Sequence, residues 1–239
     1  MYGWRARIGL ILPMDNAVIE PEYYALGLKG VSFHGVRMDT TERTQMPIRG
    51  AALSKQFVEV GVDAVGYACA ETSFLQGVDG NAWIREQIQN TCSLPAVTAS
   101  GVMVEALKAL DISRVALVAP YSISSANAMA AFLERQGIAV TKTVRRDFNE
   151  EYRDTRDWYH TNLQPAWVAY RMAREAKVDG AQAVFIAATN FRTMEAIAQL
   201  EQDLGCPVVS TNQAMLWSMF RTLGLLESSA ALGSLFEHR

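Results

Sequence analysis

Cysteine and histidine are scarce in this chain, with three of each among 239 residues. Cys69, Cys92 and Cys206 stand at no metal-ligand spacing and are odd in number, so reduced thiols are expected rather than a disulfide framework. His34, His160 and His238 are scattered, and His34 falls inside a strand pattern, so spacing supports neither a metal site nor a Cys–His pair. Basic residues do not outnumber acidic ones, and a net charge of −3 gives no electrostatic case for nucleic acid. No apolar run reaches the roughly 18 residues of a membrane span. The opening Met1-Tyr2-Gly3-Trp4-Arg5 leads straight into a strand, without a separate signal-peptide core, and a cytoplasmic location is expected. There is no P-loop, no Gly-x-Gly-x-x-Gly after a strand and no cluster of Lys and Arg. Any chemistry is expected to need no cofactor and no metal.

What is present is the composition of an ordinary globular protein: half the residues are hydrophobic and a fifth are charged. Short apolar runs rich in β-branched residues, at 7–12, 31–36, 64–68, 96–98, 115–119, 139–144, 183–187 and 208–210, read as strands. Between them, 51–60, 82–90, 102–110, 126–136, 166–176, 193–204 and 214–223 read as amphipathic helices. This alternation predicts an α/β fold of mostly parallel sheets with helices on both faces.

The chain also echoes itself. Asp63-Ala64-Val65-Gly66-Tyr67-Ala68-Cys69 matches Gln182-Ala183-Val184-Phe185-Ile186-Ala187-Ala188 at an offset of 119 residues. Arg7-Ile8-Gly9-Leu10-Ile11-Leu12-Pro13 matches Arg114-Val115-Ala116-Leu117-Val118-Ala119-Pro120 at 107, and Pro95-Ala96-Val97-Thr98 matches Pro207-Val208-Val209-Ser210 at 112. Any two βα units share some likeness, but three matches in the same order argue for duplication. Two pseudo-symmetric Rossmann-like lobes with the site between them are expected. One would comprise residues 1–112, completed by a C-terminal helix within 213–239, and the other residues 113–212. The least regular stretch, 145–165, is rich in charge and aromatics. It reads as a helix plus a surface connection, the other reading being a lid over a site.

Cys69 and Ala188 then occupy equivalent C-terminal ends of two strands, where open α/β sheets bind ligands. A helix starting at Cys69-Ala70-Glu71-Thr72-Ser73 would aim backbone N–H groups and its dipole at the thiol, and a lowered thiol pKa is expected. The same pattern fits a buried structural cysteine, and the local sequence does not choose between the two. Cys92 and Cys206 precede strands at the opposite end of each unit and read as structural. Four turns after strands, at Pro13–Asn16, Pro120–Ser125, Ala188–Asn190 and Thr211–Asn212, each offer backbone N–H groups and a short polar side chain. That chemistry suits carboxylates without a cationic side chain. A single such turn would be no more than a helix cap.

At this point Arg7–Asn16, Gly66-Tyr67-Ala68-Cys69 and Val118-Ala119-Pro120-Tyr121 resemble the maleate cis–trans isomerases and the related arylmalonate decarboxylases of the aspartate/glutamate racemase superfamily. The resemblance runs from about Arg7 to Leu223. It implies two facing α/β lobes with a catalytic cysteine from each. Cys69 matches the cysteine that adds to the double bond of maleate, giving a covalent succinyl-thioether in which the former double bond, now single, rotates before elimination to fumarate. Asn16 and Tyr121 match carboxylate-binding residues. Ala70 and Glu71, and Thr189 and Asn190 in the second turn, fall in the substrate-binding region. Ala188 matches the second catalytic cysteine, which acts as acid/base from the other face. A homo-oligomer, dimer or larger, is also what the family implies.

Two departures bear on the chemistry. The isomerases have Ser-Ser before the motif asparagine, where this chain has Met14-Asp15, and an inward Asp15 would repel a dianion. Alanine at 188 leaves the two-thiol set incomplete, marking either an inactivated variant or a natural single-cysteine member. The expected function is a cofactor-independent, Cys69-dependent isomerase of a small carboxylate. The alternatives are an amino-acid racemase or isomerase, such as an ectoine-utilisation protein of the same superfamily, and a non-catalytic carboxylate-binding protein.

Overall fold

A computed structural model describes residues 2–152, 159–176, 180–225, 227 and 229–237. In chain order the first half comprises β1 (Ala6–Leu12), α1 (Ile19–Ala25), β2 (Val31–Arg37), α2 (Met46–Leu53), α3 (Gln56–Val60), β3 (Ala64–Tyr67), α4 (Ala70–Leu75), α5 (Gly77–Cys92), β4 (Ala96–Thr98) and α6 (Ala99–Ala109). The second half comprises β5 (Arg114–Ala119), α7 (Ile123–Arg135), β6 (Ala139–Arg145), α8 (Phe148–Tyr152), α9 (Tyr159–Asn162), α10 (Ala166–Ala176), β7 (Ala183–Ile186), α11 (Ile197–Leu204), β8 (Val208–Ser210) and α12 (Thr211–Thr222).

The strands form two four-stranded sheets, ordered β2-β1-β3-β4 and β6-β5-β7-β8, and every pairing is parallel. The expected α/β class and pseudo-symmetry are both present, and all eight strands end within one residue of their expected limits. The ladders carry the echo residue by residue. Ile8 pairs with Ala64 in the first sheet, and Val115 pairs with Ala183 in the second, which are the same positions shifted by 107 and 119. Val65 pairs with Ala96, and Val184 with Val208, shifted by 119 and 112. The inner strands β3 and β7 are buried at every residue, whereas the edge strands β2 and β6 alternate in exposure. That is the pattern of parallel sheets covered on both faces.

Side chains at the strand ends start the helices that follow. Thr98 accepts a hydrogen bond from the Gly101 N–H at the start of α6, and Ser210 accepts one from Gln213 N–H at the start of α12. These are equivalent positions in the duplication. Helices α6 and α12 pack on each other between the sheets, each touching both β4 and β8, and α12 also lies on β3. Gly66 permits that last contact, because a Cβ there would stand 3.1 Å from the Met219 sulfur and 3.2 Å from that of Met215.

Several elements depart from expectation. The helix at 51–60 is divided at Ser54 into α2 and α3, and 193–204 begins as a three-residue 3-10 turn, Met194–Ala196. Helix α1 was not expected; it has seven residues and Pro21 in its first turn, too short for a helical period to show. The irregular stretch contains the short helices α8 and α9, while 153–158 lies outside the described residues. No described helix is long and apolar enough to cross a membrane.

Candidate active site

The C-terminal ends of β1, β3, β5 and β7 meet around a cavity of about 20 Å³, room for about one water molecule. The first lobe contributes Pro13, Cys69, Ala70 and Glu71. The second contributes Pro120, Tyr121, Thr189 and Asn190, with Thr161 of α9. Six of the eight expected site residues therefore share one wall-to-wall space. Asn16 and Ala188 are buried but do not border it.

Cys69 is the last residue before α4, in extended conformation at φ −126° and ψ 101°. The Thr72 hydroxyl and backbone N–H both support its thiolate, as the helix start predicts. They are outweighed. Burial, with the nearby carboxylates of Glu71 and Asp15, pushes the thiol up to about 12. This corrects the expectation of a lowered value: a thiol 3 % exposed loses more hydration on ionising than one short helix restores. Cys69 is held as a neutral thiol and ionises only as a proton is taken from it.

Tyr121 faces the same space and is 7 % exposed, and its hydroxyl has no hydrogen-bond partner among the described residues. Burial first, then Glu71 and Cys69, push this phenol well above its ordinary value, so it stays protonated and is a donor without an acceptor. A buried donor left unmade is costly, and it marks where a ligand oxygen would sit.

Glu71 joins the two lobes. Its Oε1 accepts a hydrogen bond from the Ser125 hydroxyl on α7, and its Oε2 meets Arg43 Nε at 3.3 Å. Behind the cavity a second set of bonds crosses between lobes. Thr189 Oγ1 donates to the Ala68 carbonyl at 2.9 Å and accepts from Asn16 Nδ2 at 3.1 Å. Asn16 Oδ1 in turn accepts from the backbone N–H groups of Val18 and Ile19, at 3.0 and 3.2 Å. Asn16 thus fixes the turn after β1 to the turn after β7. Asn212 lies deeper and donates to the Thr189 carbonyl at 3.1 Å and to Glu22 Oε2 at 2.7 Å. The turn at 211–212 supports the site rather than lining it, and Ser122 simply caps α7 through the Ser125 N–H.

Sequence reasoning missed Thr161, Arg43 and Glu22. Glu22 is buried, its carboxyl raised by desolvation, and it accepts from the backbone N–H groups of Thr193 and Met194. Its only sequence signal is a carboxylate in a stretch otherwise apolar on that face. Cys92 is structural as expected, donating to the Ile88 carbonyl at 3.1 Å, and Cys206 is half-buried.

Fold and cleft together define a duplicated α/β protein with one thiol and one unpartnered phenol facing each other at strand ends. The chain belongs to the arylmalonate decarboxylase family, whose sequence model matches residues 8–236. It is 27 % identical to a maleate isomerase of Nocardia farcinica over 238 residues, covering 92 % of this chain and 90 % of that one. Its fold is that of a maleate isomerase from Pseudomonas putida S16, a cysteine-to-alanine variant solved with maleate: TM-score 0.87, 23 % identity, 98 % of each chain. It is also that of a cysteine-to-serine variant of the Nocardia farcinica maleate cis–trans isomerase with a covalently bound succinylcysteine intermediate. There the TM-score is 0.82 at 24 % identity, covering 92 % of this chain and 93 % of that one.

Proposed function

We propose that this protein is a cofactor-independent isomerase of a small carboxylate that uses Cys69 for maleate-type cis–trans isomerisation. The observation that carries the reading is the pairing of one buried thiol with the unpartnered Tyr121 hydroxyl at a single cavity. The chemistry follows from that pair. The sulfur bonds to one alkene carbon as its proton passes to Asp15, a carboxylate that acts on the thiol electrostatically. The π electrons move onto the adjacent carboxyl group, forming an enediolate that the Tyr121 hydroxyl stabilises by donation. The former double bond is now single and turns. Collapse of the enediolate restores the alkene in the trans form, expels the sulfur and returns the proton to it.

No proton is placed on carbon in this sequence, so no acid is required at position 188. A racemase, by contrast, needs a base on one face of its carbon and an acid on the other. Alanine at 188 therefore favours isomerisation over racemisation. The racemase reading keeps one observation in its favour: Asp15 lies close enough to Cys69 to act on it electrostatically and would suit a substrate ammonium. Within the proposal the reaction occurs between a lobe of residues 1–112, completed by α12, and a lobe of residues 113–212. The protein works as a homo-oligomer with reduced thiols in the cytoplasm.

Incubation with maleate and with its monoamide, maleamate, in deuterated water tests the reading by NMR. Trans product without carbon-bound deuterium is expected. Absence of trans product, with deuterium exchange at the α-carbon of an amino acid, overturns it in favour of the racemase.

A further inference from the structure

The isomerase reading leaves the charge of the substrate open, and the geometry points to a specific answer. We propose that Glu71 selects a substrate with a single carboxylate, whose other end is a neutral or cationic hydrogen-bond donor, and disfavours a dianion. The inference rests on the isomerase reading and deepens it.

Glu71 lines the cavity with a side chain only 5 % exposed, while its ion-pair partner Arg43 is 46 % exposed. The cation therefore lies on the solvent side and the carboxylate on the substrate side. Two hydrogen bonds, from Ser125 and Arg43, leave acceptor capacity on a carboxylate that can take about four. Asp15 adds a second negative charge near the sulfur. Among the described residues no Lys or Arg borders the cavity. Among the described groups there, the Tyr121 hydroxyl is a donor without an acceptor and Glu71 is a carboxylate with spare acceptor capacity, beside the polar side chains of Thr161, Thr189 and Asn190. A substrate carboxylate answers the first, and an amide N–H or ammonium answers the second. A dianion would set its second charge against the buried Glu71 carboxylate, where little water is left to screen it.

Maleate and maleamate have nearly the same shape and differ by one charge. Titration calorimetry at neutral pH should show the wild-type protein binding maleamate at least about tenfold more tightly than maleate, one decade of affinity. In Glu71→Gln the ratio should fall below about threefold, mainly because maleate binds better. Ser125→Ala, which keeps the charge, should preserve the wild-type ratio. Equal affinities in the wild type overturn the inference, even if Glu71→Gln fails to fold, and so does an unchanged ratio in a folded Glu71→Gln. The two readings fail separately. A charge preference without turnover removes the isomerase and keeps the selection. Turnover with equal affinities does the reverse. Binding of neither ligand removes both.

Discussion

The ends of β3 and β7 began as copies and have become opposites. At the first, Cys69 has ordinary extended backbone and α4 begins at the next residue, turning an N–H and a hydroxyl of Thr72 toward the sulfur. At the second, Ala188 is held at φ +81° and no helix begins until Met194. The intervening turn doubles back, and Thr189 spends its hydroxyl on Ala68 and Asn16. A left-handed alanine costs about 1–2 kcal/mol, and it persists because Thr189, Asn212 and Glu22 fix the turn around it. The comparison teaches that a duplicated scaffold need not duplicate its chemistry. One strand end presents a buried thiol, and the other props it in place.

The sharpest way to break the contrast is Cys69→Ala, which should lower turnover by at least about 10³-fold with the fold unchanged by circular dichroism. Retained turnover would move the chemistry away from this strand end. Next in size is the pH dependence of Cys69 alkylation by iodoacetamide, followed by mass spectrometry. The thiolate is the nucleophile, and its fraction grows about tenfold per pH unit while the pH stays below the thiol pKa. With that value at about 12, the rate should still be climbing at the highest pH the fold tolerates. A plateau near neutrality would mean an activated thiol and would restore the helix-start argument.

On the supporting side, Thr189→Val should cost about 2–3 kcal/mol in denaturant unfolding, since it strands the buried Ala68 carbonyl and the Asn16 amide. Glycine at the two ends should act with opposite signs. Ala188→Gly relieves the positive φ and should gain up to about 1 kcal/mol, while Cys69→Gly, in extended backbone, should lose about as much or more. Thermal melts of the pair decide it, and the same sign for both would remove the strain argument. Smallest of all should be Ala188→Cys, which should change isomerisation by less than about threefold if no proton is placed on carbon. A gain of about a hundredfold or more would identify alanine as the disabling replacement of a second thiol.

Most of the scaffold could be read in advance because it depends on local patterns. All eight strands announce themselves by apolar runs, and the offsets of 107, 119 and 112 reappear in the strand registers. The convergence of Cys69, Glu71, Tyr121, Thr189 and Asn190 follows from their shared position after strands. What the chain alone concealed depends on three-dimensional neighbours. The sign of the Cys69 shift reflects desolvation, which no local motif encodes. Asn16 belongs to a bridge rather than to the cavity wall because Thr189, distant in sequence, reaches it first. Thr161 enters from a short helix with no periodicity to reveal it.

The seat that Gly66 provides for α12 has a consequence for how the chain is made. The methionines that cover β3 belong to the last α-helix described, and the whole second sheet is synthesised between them. Until that helix emerges, the apolar face that the first sheet presents to α12 is covered only in part, by α6 at β4, and a nascent chain with such a face is open to aggregation. Full burial of β3, which the cleft shares, is therefore expected only after α12 has been made.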